Sequence, residues 1–146
     1  MALLALLSLL QAGETGTRVL YVGGTVPGVQ NKSQGRIEMV EDGALRLTIR
    51  TNSVLVPYKD VNTIEYGLHV SRRYLEAIFI SPLFLLAKKK SHFLTIGYTD
   101  EAGQQQALVL EVPSGDIRAL LVSLEAKTGR KVEYQDEDAR RAGKGS

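Results

Sequence analysis

The chain has 146 residues, 44% of them hydrophobic and 23% charged, and a formal net charge of +2. That length and composition suit one domain with a core of its own, and so small a charge gives no reason by itself to expect a nucleic-acid partner. No cysteine is present, which excludes disulfides, thiol catalysis and thiolate metal sites.

Residues 2–10 are an apolar stretch, followed by the small residues of Gln11-Ala12-Gly13. Residues 1–12 are therefore expected to be a signal peptide, although no Lys or Arg precedes the apolar run; the alternative is a short N-terminal apolar helix packing its leucines on the body. Residues 18–22 read as the first strand, ended by Gly23-Gly24. Residues 25–33, with Pro27, Gly28 and Asn31, read as a loop. Two strands follow, 36–40 and 44–50, joined at Glu41-Asp42-Gly43, where Asp-Gly is a hairpin signal. Leu45, Leu47 and Ile49 alternate with Arg46, Thr48 and Arg50, so that strand has one buried and one wet face. Residues 53–56 form another strand, and Pro57, lacking a donor, belongs at an edge or between strands. Residues 61–66 continue as the next.

After a loop at 67–71 the pattern changes. Residues 77–87 are an apolar run broken only by Ser81-Pro82, with Arg72 and Arg73 before it and Lys88, Lys89 and Lys90 directly after. The run is too short to span a bilayer, which takes ~20 apolar residues, and neither half alternates as a half-buried strand would. Three readings compete: strands filling the core, an extruded segment entering a membrane interface, or a docking face for a protein partner.

Residues 93–98 and 106–112 make a second hairpin around Asp100-Glu101-Ala102-Gly103. The period then switches: Ile117, Leu120, Leu121 and Leu124 recur at helical spacing, with Ser114 placed to cap the start, Lys127 in the last turn and Gly129 at the end. Residues 131–134 suggest a short strand, and 135–146 a charged flexible tail.

Six or seven antiparallel strands capped by a C-terminal amphipathic helix make this a mainly β chain. The segment 54–66 (Val54-Leu55-Val56-Pro57-Tyr58 leading into Ile64), the basic turn Lys88-Lys89-Lys90 feeding residues 91–96, and the closing helix of 116–129 resemble a bacterial pleckstrin-homology-like (PH/GRAM-type) domain. Leu20-Tyr21-Val22-Gly23-Gly24-Thr25 and Leu124-Glu125-Ala126-Lys127-Thr128-Gly129 are similar to segments of a family of uncharacterised exported bacterial proteins. The resemblance covers residues 18–134 and implies a small β-barrel or pair of bent sheets; for activity it implies little, because that fold hosts lipid binders, peptide binders and inert scaffolds. The chain departs from a lipid-headgroup domain in one respect: its first long loop, 23–35, holds only Lys32.

Catalytic and metal chemistry finds little to work with. His69 and His92 lack a ligand pattern. Ser91, His92 and Asp100 can be combined into a triad only on paper, since adjacent residues of a strand point to opposite faces. Gly23, Gly24 and Gly28 lack the Gly-Lys-Ser/Thr step of a phosphate loop, and Asp136, Glu137 and Asp138 read as solvated. Phe79 and Phe84 sit among aliphatics rather than interleaved with basic residues, which argues against nucleic acid. The chain is thus expected to be a non-enzymatic binding or scaffolding module, without cofactor or metal, exported to the periplasm of a bacterium or peripheral to its membrane. Phe79, Leu83, Phe84 and Leu85 are the expected inserting residues. Arg72, Arg73, Lys88, Lys89 and Lys90 would contact an anionic surface. The alternative partner is a protein, bound by the same apolar patch or a strand edge.

Overall fold

The computed structural model describes residues 16–29, 32–40, 43–70 and 91–144. Among the described residues there are eight strands: β1 (Thr17–Gly24), β2 (Ser33–Val40), β3 (Ala44–Ile49), β4 (Asn52–Pro57), β5 (Val61–Gly67), β6 (Phe93–Thr99), β7 (Gln105–Glu111) and β8 (Glu133–Tyr134). A single 3-10 turn, Tyr58–Asp60, joins β4 to β5, and two helices close the chain, α1 (Ile117–Thr128) and α2 (Glu137–Lys144). All strands belong to one sheet in the order β4-β3-β2-β1-β7-β6-β5-β8. Every pairing is antiparallel except β5 with β8. The sheet is not closed: it ends at β4 on one side and at the two-residue β8 on the other.

Alternation along the strands sends one set of side chains to a common core. Val19 and Tyr21 of β1, Ile37 of β2, Leu45, Leu47 and Ile49 of β3, Leu94 and Ile96 of β6, and Leu108 and Leu110 of β7 all lie in it. Helix α1 covers this core with the four residues its periodicity marks; Ile117, Leu120, Leu121 and Leu124 are at most 4% exposed. Full burial of such side chains contributes about 1.5–3 kcal/mol each. Gly129 ends the helix in the left-handed conformation that glycine adopts without strain, φ +72°, its amide bonded to Glu125 O. The start differs from expectation: the capping position is Asp116 rather than Ser114, and it makes no side-chain capping bond.

β6 and β7 are buried on both faces, which hides their alternation. Phe93, Ala107 and Val109 join Val22 and Val70 in a second apolar cluster, with Leu20 against it. The other departures are local. β1 does not stop at Gly23 but runs through Gly24, with a bulge against β7 between Tyr21 and Gly23. The β2–β3 connection is as expected, with Val40 opposite Ala44, and Gly43 takes the left-handed position at φ +81°. β4 lies at the sheet edge, as Pro57 requires.

The segment expected to be a flexible charged tail is instead ordered by packing. Gln135 N bonds Tyr66 O, Asp136 Oδ1 accepts the Ala139 amide at 2.7 Å as an N-cap, and Ala139 is fully buried in the main core. Arg118 of α1 reaches across to the last carbonyls of α2, donating to Arg141 O and Ala142 O. Expectations for residues 1–12 and 74–80, and for the whole apolar run with its flanking Arg72, Arg73, Lys88, Lys89 and Lys90, lie outside the described residues.

Candidate functional site

The apolar run belongs to the β5–β6 connection, residues 68–92. The strands on either side are in register to their very ends, with Gly67 opposite Phe93 and Tyr66 opposite Leu94. Long chain has been placed where a hairpin needs only a few residues. Its first residues are held by the tail: Gln135 donates through Nε2 to Glu65 Oε1 and to His69 O, each at 2.5 Å, and accepts the His69 amide at Oε1. Glu65 is 8% exposed, so this amide satisfies a buried carboxylate while fixing the exit of the connection.

At the same end of the sheet lies a cleft of about 1130 Å³. Its floor and walls come from the start of β1, from β2, from the end of β7 with the turn into α1, and from Ser91 and His92, where the connection returns. His92 stacks on Tyr66, ring centroids 5.3 Å apart, and its Nε2 is buried without a hydrogen-bond partner. Burial pushes the Tyr66 phenol above its ordinary range, an effect reinforced by Tyr134 and Glu111, so it stays neutral.

The charged residues lining the cleft are Arg18, Arg36, Arg118 and Glu111. Arg18 and Arg36 are direct partners across β1 and β2, and Thr48 of β3 continues the row beyond Arg36. Arg36 is oriented by a bond from Nη1 to Gly16 O at 3.3 Å, whereas Arg18 is exposed. The three arginines come together only through the fold: Arg18 opens the first strand, and its pairing with Arg36 follows from the β1–β2 register.

The opposite end of the sheet is built differently. Asp100 organises the β6–β7 turn, accepting the backbone amides of Ala102 and Gln104 at Oδ1 and the side-chain Nε2 of Gln106 at Oδ2. The bond from the Gln104 amide, helped by the other two, holds its carboxyl below the ordinary range. A smaller hollow of about 480 Å³ lies beside it, between Thr25–Pro27 and the edge strand β4. Asp100 follows β6 and His92 precedes it, so Ser91, His92 and Asp100 do not converge. Among the described residues no group of three or more His, Cys, Asp or Glu side chains is placed to hold a metal ion, and no helix is long and apolar enough to cross a membrane.

No family model matches the chain, and no curated protein shows significant similarity to it.

Proposed function

We propose that this chain is a non-enzymatic, PH-like binding module that works at an anionic membrane surface, exported or peripheral in a bacterium. One observation carries the reading. An apolar run between two basic clusters sits in a connection inserted between register partners, Gly67 and Phe93, and that connection leaves from the end of the sheet where three arginines line a cleft. Phe79, Leu83, Phe84 and Leu85 would enter the interface. Arg72, Arg73 and Lys88–Lys90 would meet anionic headgroups, each basic residue contributing ~1 kcal/mol near such a surface. A run of antiparallel strands followed by a core-covering helix supports the PH-like assignment.

The test is vesicle flotation of the full chain with anionic and neutral liposomes at low and moderate salt, beside the Phe79→Asp/Phe84→Asp variant checked for folding by circular dichroism. The expected result is flotation on anionic vesicles that weakens with salt and is lost in the variant. No flotation under any condition overturns the reading and leaves the core or a protein interface as the place of residues 77–87.

A second reading, a protein-binding module, has one observation in its favour. β4 is a sheet edge, and its Leu55 is 56% exposed; an extended peptide could add to such an edge. Salt-insensitive binding to a protein, lost on Leu55→Lys, would favour it.

A further inference from the structure

We propose that two copies of this chain associate edge to edge through β4, pairing antiparallel about Leu55 so that one sheet runs across both. The proposal rests on the exposed edge and is independent of the membrane reading.

The sheet treats its two margins differently. On the β5 side the chain's own C-terminal segment covers the edge: β8 pairs with Glu65 and Tyr66, the Gln135 amide bonds Tyr66 O, and Arg130 Nε donates to Val61 O at 3.1 Å. β4 pairs with β3 alone. Its register with β3 runs unbroken from Asn52 to Pro57, so no bulge turns it away, and the strand Asn52–Pro57 carries no charged residue. Bulges and charges are the usual guards of a bare edge. Leu55, near its centre, is 56% exposed.

The direction of the backbone groups follows from the hairpin. Ile49 opposite Asn52 closes a two-residue turn, so Asn52, Val54 and Val56 bond to β3 while Ser53 and Leu55 present N–H and C=O outward. The Tyr58 amide, two residues beyond Val56, keeps that phase by bonding Gly43 O at 2.9 Å. Pro57 falls in the outward phase, where its missing N–H costs β3 no bond.

Two such edges can pair about a two-fold axis. Centred on Leu55, the two leucines exchange a pair of backbone bonds, and each Ser53 amide reaches the Pro57 carbonyl of the other copy. Centring on Val54 gives as many bonds but leaves Leu55 opposite Ser53. The Leu55 register instead sets the exposed leucines side by side as an apolar cross-strand pair. Carried into the flanking turns, the same count brings Arg50 of each copy to Asp60 of the other, and Lys59 to Thr51. Among the described residues neither Arg50 nor Asp60 has an ionic partner within its own chain, and symmetry makes the Arg50–Asp60 contact twice. A single strand edge is a small interface, so the dimer is a weak, concentration-dependent one.

The test is sedimentation velocity on the full chain over a concentration series reaching the millimolar range, joined to hydrogen exchange at the amides of residues 53–56. A reversible dimer is expected, in which the Ser53 and Leu55 amides exchange more slowly as concentration rises. Val54 and Val56, already bonded to β3, should change far less. Leu55→Lys, at an exposed position that leaves the fold intact, sets like charges across the axis and should weaken association by roughly tenfold or more. Arg50→Glu and Asp60→Arg should each weaken self-association several-fold. Mixing those two variants should restore it, because both contacts of the mixed pair then join opposite charges. A chain that stays monomeric throughout overturns the proposal and leaves the edge to an extended peptide. Dimerisation with the Ser53 and Leu55 amides unchanged, or with Leu55→Lys as strong as the parent, overturns it as well. Dimerisation lost in Phe79→Asp/Phe84→Asp but kept in Leu55→Lys would do the same and assign self-association to the apolar run. Failure of vesicle flotation, by contrast, sinks the membrane reading and leaves the dimer standing.

Discussion

Replacing Gly24 with alanine should destabilise the protein, whereas the same change at Gly115 should stabilise it. Gly24 closes β1 just beyond the bulge, and a Cβ there would sit 2.5 Å from Tyr21 Oη and 2.6 Å from Ala107 O. Neither neighbour gives way readily. Tyr21 is 1% exposed, and Ala107 is held by the next residue, accepting the Thr25 amide at 3.0 Å and donating its own amide to Thr25 Oγ1 at 2.9 Å. Restoring ordinary contact distances moves β1 from β7 by several tenths of an ångström, straining both bonds. Overpacking of this kind costs about 1–3 kcal/mol, each weakened hydrogen bond adds up to ~1 kcal/mol, and the stiffer unfolded chain returns only ~0.4–1 kcal/mol. The net expectation is a loss of about 2–3 kcal/mol. At Gly115 a Cβ meets nothing within 4 Å and the backbone is not left-handed, so only the unfolded-state term remains, a gain of about 0.4–1 kcal/mol. Urea unfolding followed by far-ultraviolet circular dichroism measures both. Shifts of the same sign, or a Gly24→Ala effect within ~0.5 kcal/mol of zero, would refute the close approach of β1 and β7 on which the estimate rests.

Two further changes probe polar groups. Gln135→Ala removes the amide that satisfies buried Glu65 and holds His69, and should cost about 1–3 kcal/mol in urea unfolding; a cost under ~0.5 kcal/mol would show that the tail does not hold the β5–β6 connection. Asp100 has a depressed folded pKa, so its stabilising contribution is present above the unfolded value of ~3.9 and is lost as pH falls through the folded value. Asp100→Asn should therefore flatten the acid side of the stability–pH profile, and a carboxyl midpoint at or above the ordinary value in an NMR titration would contradict the turn geometry.

Strands with one wet face were legible from the sequence because their alternation survives: Leu45, Leu47 and Ile49 went to the core as expected. So was α1, whose four apolar positions fit only a helical period. β6 and β7 were legible as a hairpin around the turn Asp100-Glu101-Ala102-Gly103, although burial on both faces erases their alternation. The tail misled for a physical reason. Its order depends on a handful of long-range contacts, namely Ala139 in the core, Gln135 against Glu65 and Arg118 on the α2 carbonyls, and none leaves a mark in the local charge pattern. The cleft was illegible on the same ground. Arg18 and Arg36 are far apart in sequence, and only the β1–β2 register makes them neighbours.

The pairing of Gly67 with Phe93 also bears on how freely this protein can change. A connection whose ends are already zipped together is, for the sheet, a tether whose length enters only logarithmically. Shortening about 25 residues to a four-residue turn alters the closure entropy by only about 1.6 kcal/mol. The length of chain between those two anchors can therefore change with little entropic burden on the strands that carry it. Such a layout lets recognition drift quickly on a scaffold that stays put.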